Sequence, residues 1–230
     1  MRLTTKITIG IILSILVISL AFIIAFSFSD RKNYTVSPLN YENVEITVSE
    51  YSHLETGSYK VVVLDKYQVD PNVHHYWFTD ECTLSFNPVS TENERDKLAI
   101  PVDLAGFITM NTLNDTLTIK VKLDELGQKY EKADKDNVAI SGMNLKLHTS
   151  TVNVINKLNG VVTEIRNIET DEIKVNAESH VHIHGCDANT LTILKAGLIN
   201  IENSKFKKLS FDNLQSWKIE NCRIYHISDE

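Results

Sequence analysis

Three stretches of this chain fall into line at a regular 18-residue offset: His180-Val-His-Ile-His-Gly-Cys-Asp-Ala188, Leu198-Ile-Asn-Ile-Glu-Asn-Ser-Lys-Phe206 and Ser216-Trp-Lys-Ile-Glu-Asn-Cys-Arg-Ile224. The alignment yields columns of one chemical kind. Thr163, Val181, Ile199 and Trp217 share the first; Ile165, Ile183, Ile201 and Ile219 share the second. Asn167, Gly185, Asn203 and Asn221 form a third, followed by Ile168, Cys186, Ser204 and Cys222. In the other half of the period, Ile173, Leu191, Leu209 and Ile227 line up, then Val175, Ile193 and Phe211.

A fixed period of this size is the signature of a solenoid, in which each unit buries its apolar face against its neighbours. Within a unit the apolar residues alternate, the period of a strand. The Asn/Gly column suits a sharp bend, because these residues tolerate left-handed backbone. Leu145 and Leu147 stand one such offset before Thr163 and Ile165, which places the first coil near 143. The expected fold is therefore all-β: a single-stranded parallel β-helix, about 18 residues per coil over 143–227, after an N-terminal transmembrane helix. A left-handed hexapeptide helix would need an aliphatic residue every sixth position. Positions 181, 187 and 193 read Val, Asp and Ile, so an irregular, right-handed coil fits better.

The transmembrane expectation comes from Ile7–Phe26, twenty residues without charge or proline, preceded by Arg2 and Lys6. As a helix that run is ~30 Å long, the thickness of a bilayer core. It exceeds the h-region of a cleaved signal peptide, so residues 1–28 read as a short basic tail and an uncleaved signal anchor. Residues 29–40 then form a polar linker, 41–140 an N-terminal β part, and 141–230 the coils. The short basic tail favours an extracytoplasmic C-terminal domain on a single-pass membrane protein. From Asp30 onward 21 basic residues face 30 acidic ones, a net −9. That balance argues against nucleic acid as a partner.

Ahead of the repeat come Tyr41-Glu-Asn-Val-Glu-Ile-Thr-Val48, Tyr59-Lys-Val-Val-Val63 and Asp115-Thr-Leu-Thr-Ile-Lys-Val121, and within it Thr190-Leu-Thr-Ile193. This order of strands and rungs resembles the GIN-type head domain of auto-transporter adhesins. The resemblance implies a right-handed β-helix in a bacterial envelope, an adhesive role, and no catalytic residues.

Three places carry candidate chemistry. His180, His182 and His184 alternate on one strand, ~6.5–7 Å apart on a single face, near enough for imidazoles to share a metal. The 18-residue offset sets Glu164 and Asn200 beside His182, and Arg166 and Glu202 beside His184. Glu202 is thus a candidate further ligand for zinc, copper or nickel. The bland reading is a solvated outer face. The cluster His74, His75, Tyr76, Trp77 and Phe78 offers aromatics to a partner, or is a loop folded over the core. Trp217, with Phe211, is expected to plug the end of the coil stack; Trp217 is also a partner-binding candidate, should the final coil be an interface. The paired carboxylates Glu202 and Glu220 have the spacing of acid/base pairs, but Lys218, Arg223 and His184 stand ready to neutralise them. Cys186 and Cys222 lie two layers apart, ~9.6 Å, beyond disulfide reach.

The expected function is a membrane-anchored, non-enzymatic binding, adhesion or scaffold domain. Its partners would be the membrane through Ile7–Phe26, an envelope protein or glycan, and a second copy through the C-terminal coil. A carbohydrate-active β-helix enzyme and a metal-binding domain are the alternatives.

Overall fold

The computed structural model describes residues 14–15, 17–20, 35–38, 43–47, 60–67, 75–79, 81–90, 97–130 and 137–229. Two compact units are present, residues 1–34 and 35–230, and the second contains all the strands.

Among the described residues of the second unit, most period-2 alternation becomes strand. Its N-terminal strands are β1 (Thr35–Pro38), β2 (Asn43–Thr47), β3 (Val61–Lys66), β4 (His75–Phe78), β5 (Thr83–Asn87) and β6 (Lys97–Pro101). A 3-10 helix (Val102–Phe107) leads into the hairpin β7 (Ile108–Leu113) and β8 (Thr116–Val121). Asn114 and Asp115 turn that hairpin with φ of 49° and 60°, the backbone that a two-residue type I′ turn demands. The helix α1 (Leu123–Tyr130) follows, burying Leu123 and Leu126. Next come β9 (Asn137–Ser141), β10 (Asn144–His148), β11 (Val152–Asn156), β12 (Val162–Arg166) and β13 (Glu169–Ala177). The last four are β14 (Val181–His184), β15 (Asp187–Glu202), β16 (Lys205–Glu220) and β17 (Arg223–Asp229).

The 18-residue offset is real in the backbone register. Thr163 pairs with Val181, Val181 with Ile199, and Ile199 with Trp217, all in parallel. Asp187 pairs with Lys205, and Lys205 with Arg223. The bend column also behaves as its composition requires. Asn167, Gly185, Asn203 and Asn221 all adopt positive φ, between 51° and 67°.

The architecture around that register differs from the expected one. A single-stranded parallel β-helix would set β10 directly against β12, one repeat further on. Instead β5 lies between them, pairing Leu84 with Leu145 on one side and with Thr163 on the other. On the opposite flank β11 pairs with β13 at an offset of 21, Val152 to Ile173, and with β3 beyond it. Three ladders are antiparallel: β2 with β6, β6 with β10, and β7 with β8. The result is a mixed, partly antiparallel sheet of 14 described strands, curled into a half-barrel, in place of a solenoid. The reason lies in residues 35–121. They carry apolar alternation without the period, and their strands complete the hydrogen bonds of the early repeat units. A small parallel sheet, β1-β9-β4, carries Pro38 on its edge strand β1, the place in a sheet where proline is tolerated.

The membrane expectation is also corrected. Among the described residues no helix is long and apolar enough to cross a bilayer. A single-pass anchor, and the extracytoplasmic placement that depended on it, therefore lose their support. Only residues 14–15 and 17–20 of the run Ile7–Phe26 are described, as helix, and the rest of it lies outside the described residues.

One continuous core runs inside the curl, from Val62, Leu84 and Leu117 through Ile165 and Val181 to Ile201 and Leu209. Buried Asn156 fixes the corner between β11 and β12. Its Nδ2 donates to Val161 O at 2.8 Å and Thr163 Oγ1 at 3.1 Å, and its Oδ1 accepts from Leu158 N at 3.0 Å. The expected plug at the far end is absent: Trp217 is 58% exposed and Phe211 half-buried.

Candidate functional site

Alternation gives each strand of the main sheet an inner and an outer row. On β12, β14, β15 and β16 the inner residues are the aliphatic columns, so the residues between them face outward. Register then assembles two outer rows across the strands. The first reads Ser85, Glu164, His182, Asn200, Lys218; the second reads Arg166, His184, Glu202, Glu220. Successive strands lie ~4.8 Å apart, so each row is a comb of polar groups at fixed spacing.

Electrostatics along the comb are local and matched. Glu164 Oε2 accepts from Ser85 Oγ at 3.1 Å, and from Arg166 Nε at 3.1 Å and Nη2 at 2.9 Å. Lys218 Nζ lies 2.9 Å from Glu220 Oε1; that hydrogen bond and the carboxylate charge raise the lysine pKa. His184 Nδ1 stands 3.6 Å from Glu202 Oε2, an ion pair whenever the imidazole is protonated. Each glutamate of the face thus has a basic neighbour. Glu164 and Glu220 are matched by Arg166 and Lys218, and Glu202 by His184 whenever that ring is protonated.

Between the two rows the surface sinks into an open depression of about 190 Å³, lined by Arg166, His182, Ile183, His184, Asn200 and Glu202. The structure therefore gathers three of the four residues singled out as metal ligands, His182, His184 and Glu202. It leaves His180 out, because His180 precedes β14 at the corner beside Gly197. Among the described residues no three His, Cys, Asp or Glu groups come close enough together to hold a metal ion. The Arg166 guanidinium at the rim of the same depression adds a positive charge that a zinc, copper or nickel ion would have to tolerate.

The aromatic cluster resolves into structure. His75, Tyr76, Trp77 and Phe78 form β4, in register with β9. Phe78 is buried, while Tyr76 and Trp77 are half-buried, with Tyr76 packed on the core. The segment is a strand of the small sheet, not an open platform, and His74 lies outside the described residues.

Trp217 belongs to a different surface. Together with Phe211, Leu214 and Ile219 it lines an apolar cleft opening at the last layer of the sheet. Tyr225 and Ile227, 71% and 56% exposed, stand on the neighbouring β17. The three cysteines are free. Burial, the largest cause, raises the pKa of both Cys82 and Cys186, so neither is an activated thiol. Ser204, between Cys186 and Cys222 in their column, accepts from Cys186 N at 3.1 Å and donates to Glu202 O at 2.7 Å.

Sequence reasoning missed Ser85, which enters the polar comb only because β5 is inserted beside β12. Its one local signal is the alternation of Leu84 and Phe86 around it. Comparison of the chain with family models, curated proteins and solved structures finds no match.

Proposed function

We propose that this is a non-enzymatic binding domain whose ligand is a glycan, held over the depression between Arg166, His182, His184, Asn200 and Glu202. The observation that carries the reading is the polar comb. Donors and acceptors stand on hydrogen-bonded parallel strands, so their spacing is fixed before a ligand arrives and little ordering entropy remains to be lost. An extended, hydroxyl-bearing polymer meets such a regular row better than a compact molecule does. The pairing of Glu164, Glu202 and Glu220 with basic neighbours supports binding over hydrolysis.

The test is a chemical-shift titration with neutral and acidic oligosaccharides. Binding should move the ring signals of His182 and His184 and the amide of Asn200, and the double variant Arg166→Ala, His182→Ala should lose the response. Shifts elsewhere, or none, would sink the proposal. New reducing ends during the titration would replace it with a hydrolase.

A further inference from the structure

Just past the bend column the outer surface changes sign from layer to layer. Register gives three columns there: Glu169, Asp187, Lys205 and Arg223; then Asp171, Asn189, Lys207 and Tyr225; then Glu172, Thr190, Lys208 and His226. Over the same layers the inward column keeps one character, Ile173, Leu191, Leu209 and Ile227. Packing constrains that column and leaves the outer ones free. The concerted swing from acids on β13 to lysines on β16 is therefore no demand of the core. On β16 and β17, Lys205, Lys207, Arg223 and Tyr225 form a two-by-two block. Lys205 lies directly opposite Arg223, and like charges so placed oppose folding. Asp187 matches Lys205 at 3.2 Å. Among the described residues Lys207 and Arg223 have no carboxylate partner. Tyr225 fills the fourth corner, 71% exposed. In a chain of net charge −7 this is a local, uncompensated positive patch around an open ring. A side-chain arrangement that works against the fold and closes no core contact points to a ligand.

We propose that this block binds an acidic polysaccharide, at a site separate from the polar comb and not dependent on it. Lys207 and Arg223 take carboxylate or sulfate groups of the sugar chain, and the planar guanidinium of Arg223 suits such oxyanions in a bidentate contact. The Tyr225 ring takes the apolar C–H face of the sugar that carries them. The neighbouring layers set the charge density of the ligand. Glu169, Asp171 and Glu172 stand two strands from Lys205, Lys207 and Lys208, ~9.6 Å, close to one Debye length at physiological salt. A polyanion as dense as a nucleic acid duplex, with one charge per ~1.7 Å, would extend over those carboxylates and be repelled. A chain with one acid group per sugar can set that group on the block and keep neutral hydroxyls over the acidic layer.

Isothermal titration of the full chain with neutral, carboxylated and sulfated oligosaccharides of equal length tests this. Both acidic probes should bind, and bind less tightly as salt rises. The double variant Lys207→Glu, Arg223→Glu should weaken acidic binding by about tenfold or more. Lys120→Glu, a charge reversal at an exposed position on β8, should leave it nearly unchanged, which separates the block from the field of the whole protein. Tyr225→Ala should weaken both acidic probes and Tyr225→Phe neither, because stacking uses the ring and not its hydroxyl. Arg223→Gln should lower acidic affinity while keeping or raising the melting temperature, since it removes a like-charge contact. That pairing of results guards against a folding artefact. The neutral probe reads the comb alone, so none of these variants should alter its binding. No binding of either acidic probe, an equal loss from Lys120→Glu, equal losses for neutral and acidic probes, or tighter binding of single-stranded nucleic acid would overturn the proposal.

Discussion

Ile199 and Trp217 occupy the same column of the sheet, one layer apart, and the backbone pairs them directly. Ile199 is 1% exposed and Trp217 58%. Their local sequences are nearly the same, Ile-Asn-Ile-Glu-Asn against Trp-Lys-Ile-Glu-Asn. What separates them is coverage. Ile199 lies between Val181 and Trp217, whereas Trp217 has a layer on one side only. Side-chain size does not decide burial here; the number of neighbouring strands does. A repeating sheet is thus stable in its interior and sticky at its boundary, even where the sequence hardly changes.

The largest expected effect tests that contrast directly. Ile199→Ala should cost ~2–5 kcal/mol, because a cavity between two layers cannot collapse freely. Trp217→Ala should cost about 1 kcal/mol or less in the monomer, since more than half of the ring already meets water. Urea denaturation of the two variants at low protein concentration reads both values. Equal costs would show that the last layer is covered in solution.

A smaller difference is expected at the bend column. Gly185 holds φ at +67°, and a Cβ there would collide with Asn167 Oδ1 in the adjacent layer. Gly185→Ala should therefore destabilise by ~1–3 kcal/mol, combining backbone strain with displacement of that side chain. Asn221, at φ 52° in the last layer, already bears a Cβ in this conformation. Asn221→Gly should be neutral or stabilising, by up to about 1 kcal/mol. Thermal melts of the pair compare a covered bend with an open one.

The thiols sharpen the same contrast through pH. Cys186 in a covered layer is buried, and Cys222 in the last layer is only half-buried. Native-state alkylation should label Cys222 first. Burial holds the Cys186 and Cys82 thiols protonated above the ordinary value of 9.0. The folded state then keeps protons that the unfolded chain gives up. Stability should be flat below pH 9.0 and fall as pH rises through it and above. The double variant Cys82→Ala, Cys186→Ala should flatten that decline in a series of melts; an unchanged slope would show that other groups cause it.

Smallest of all is the outer ion pair. His184 and Glu202 are substantially exposed, so water and salt screen their attraction. Glu202→Gln should shift stability by about 0–1 kcal/mol, and only at low salt. A larger loss would mean that the polar comb helps to hold the sheet together.

The register of β12 to β17 was legible because an 18-residue period brings every residue of one layer over its counterpart in the next. The column of Asn167, Gly185, Asn203 and Asn221 even revealed its backbone conformation, since few other residues accept it. The rows His182–Asn200 and His184–Glu202 followed from the same arithmetic. What failed was the assumption that Leu145 and Leu147 lie against Thr163 and Ile165. Alternation marks β10 as a strand with one buried face but says nothing of which strand lies beside it, and β5 carries the same signal in Leu84 and Phe86. The Asn114–Asp115 turn went unread, because Asn-Asp lacks the glycine of the usual hairpin signal; the antiparallel ladder of β7 with β8 and the two positive φ angles reveal it. For Trp217 the columns allowed both a plug and an exposed last coil, because an apolar column gives no sign of where its coverage stops; the structure shows the ring exposed.

The position of β5 also fixes an order of assembly. Layers from β14 to β17 meet at a sequence separation of 18, as Lys205 meets Asp187. By contrast β5 must reach β10 at a separation of 61, as Thr83 meets Asn144, and β12 at 79, as Ser85 meets Glu164. Loop-closure entropy makes the longest of these contacts about 1.3 kcal/mol harder to form than the shortest. Both ladders of β5 also require β10 and β12 to stand one strand apart, with a gap between them. The repeat should therefore zip up first and the inserted strand lock in last. Pulse-labelled hydrogen exchange during refolding should protect the amides of Leu191 and Ile201 before those of Leu84 and Phe86. A strand from far along the chain thus acts as the slow keystone of an otherwise fast, local fold.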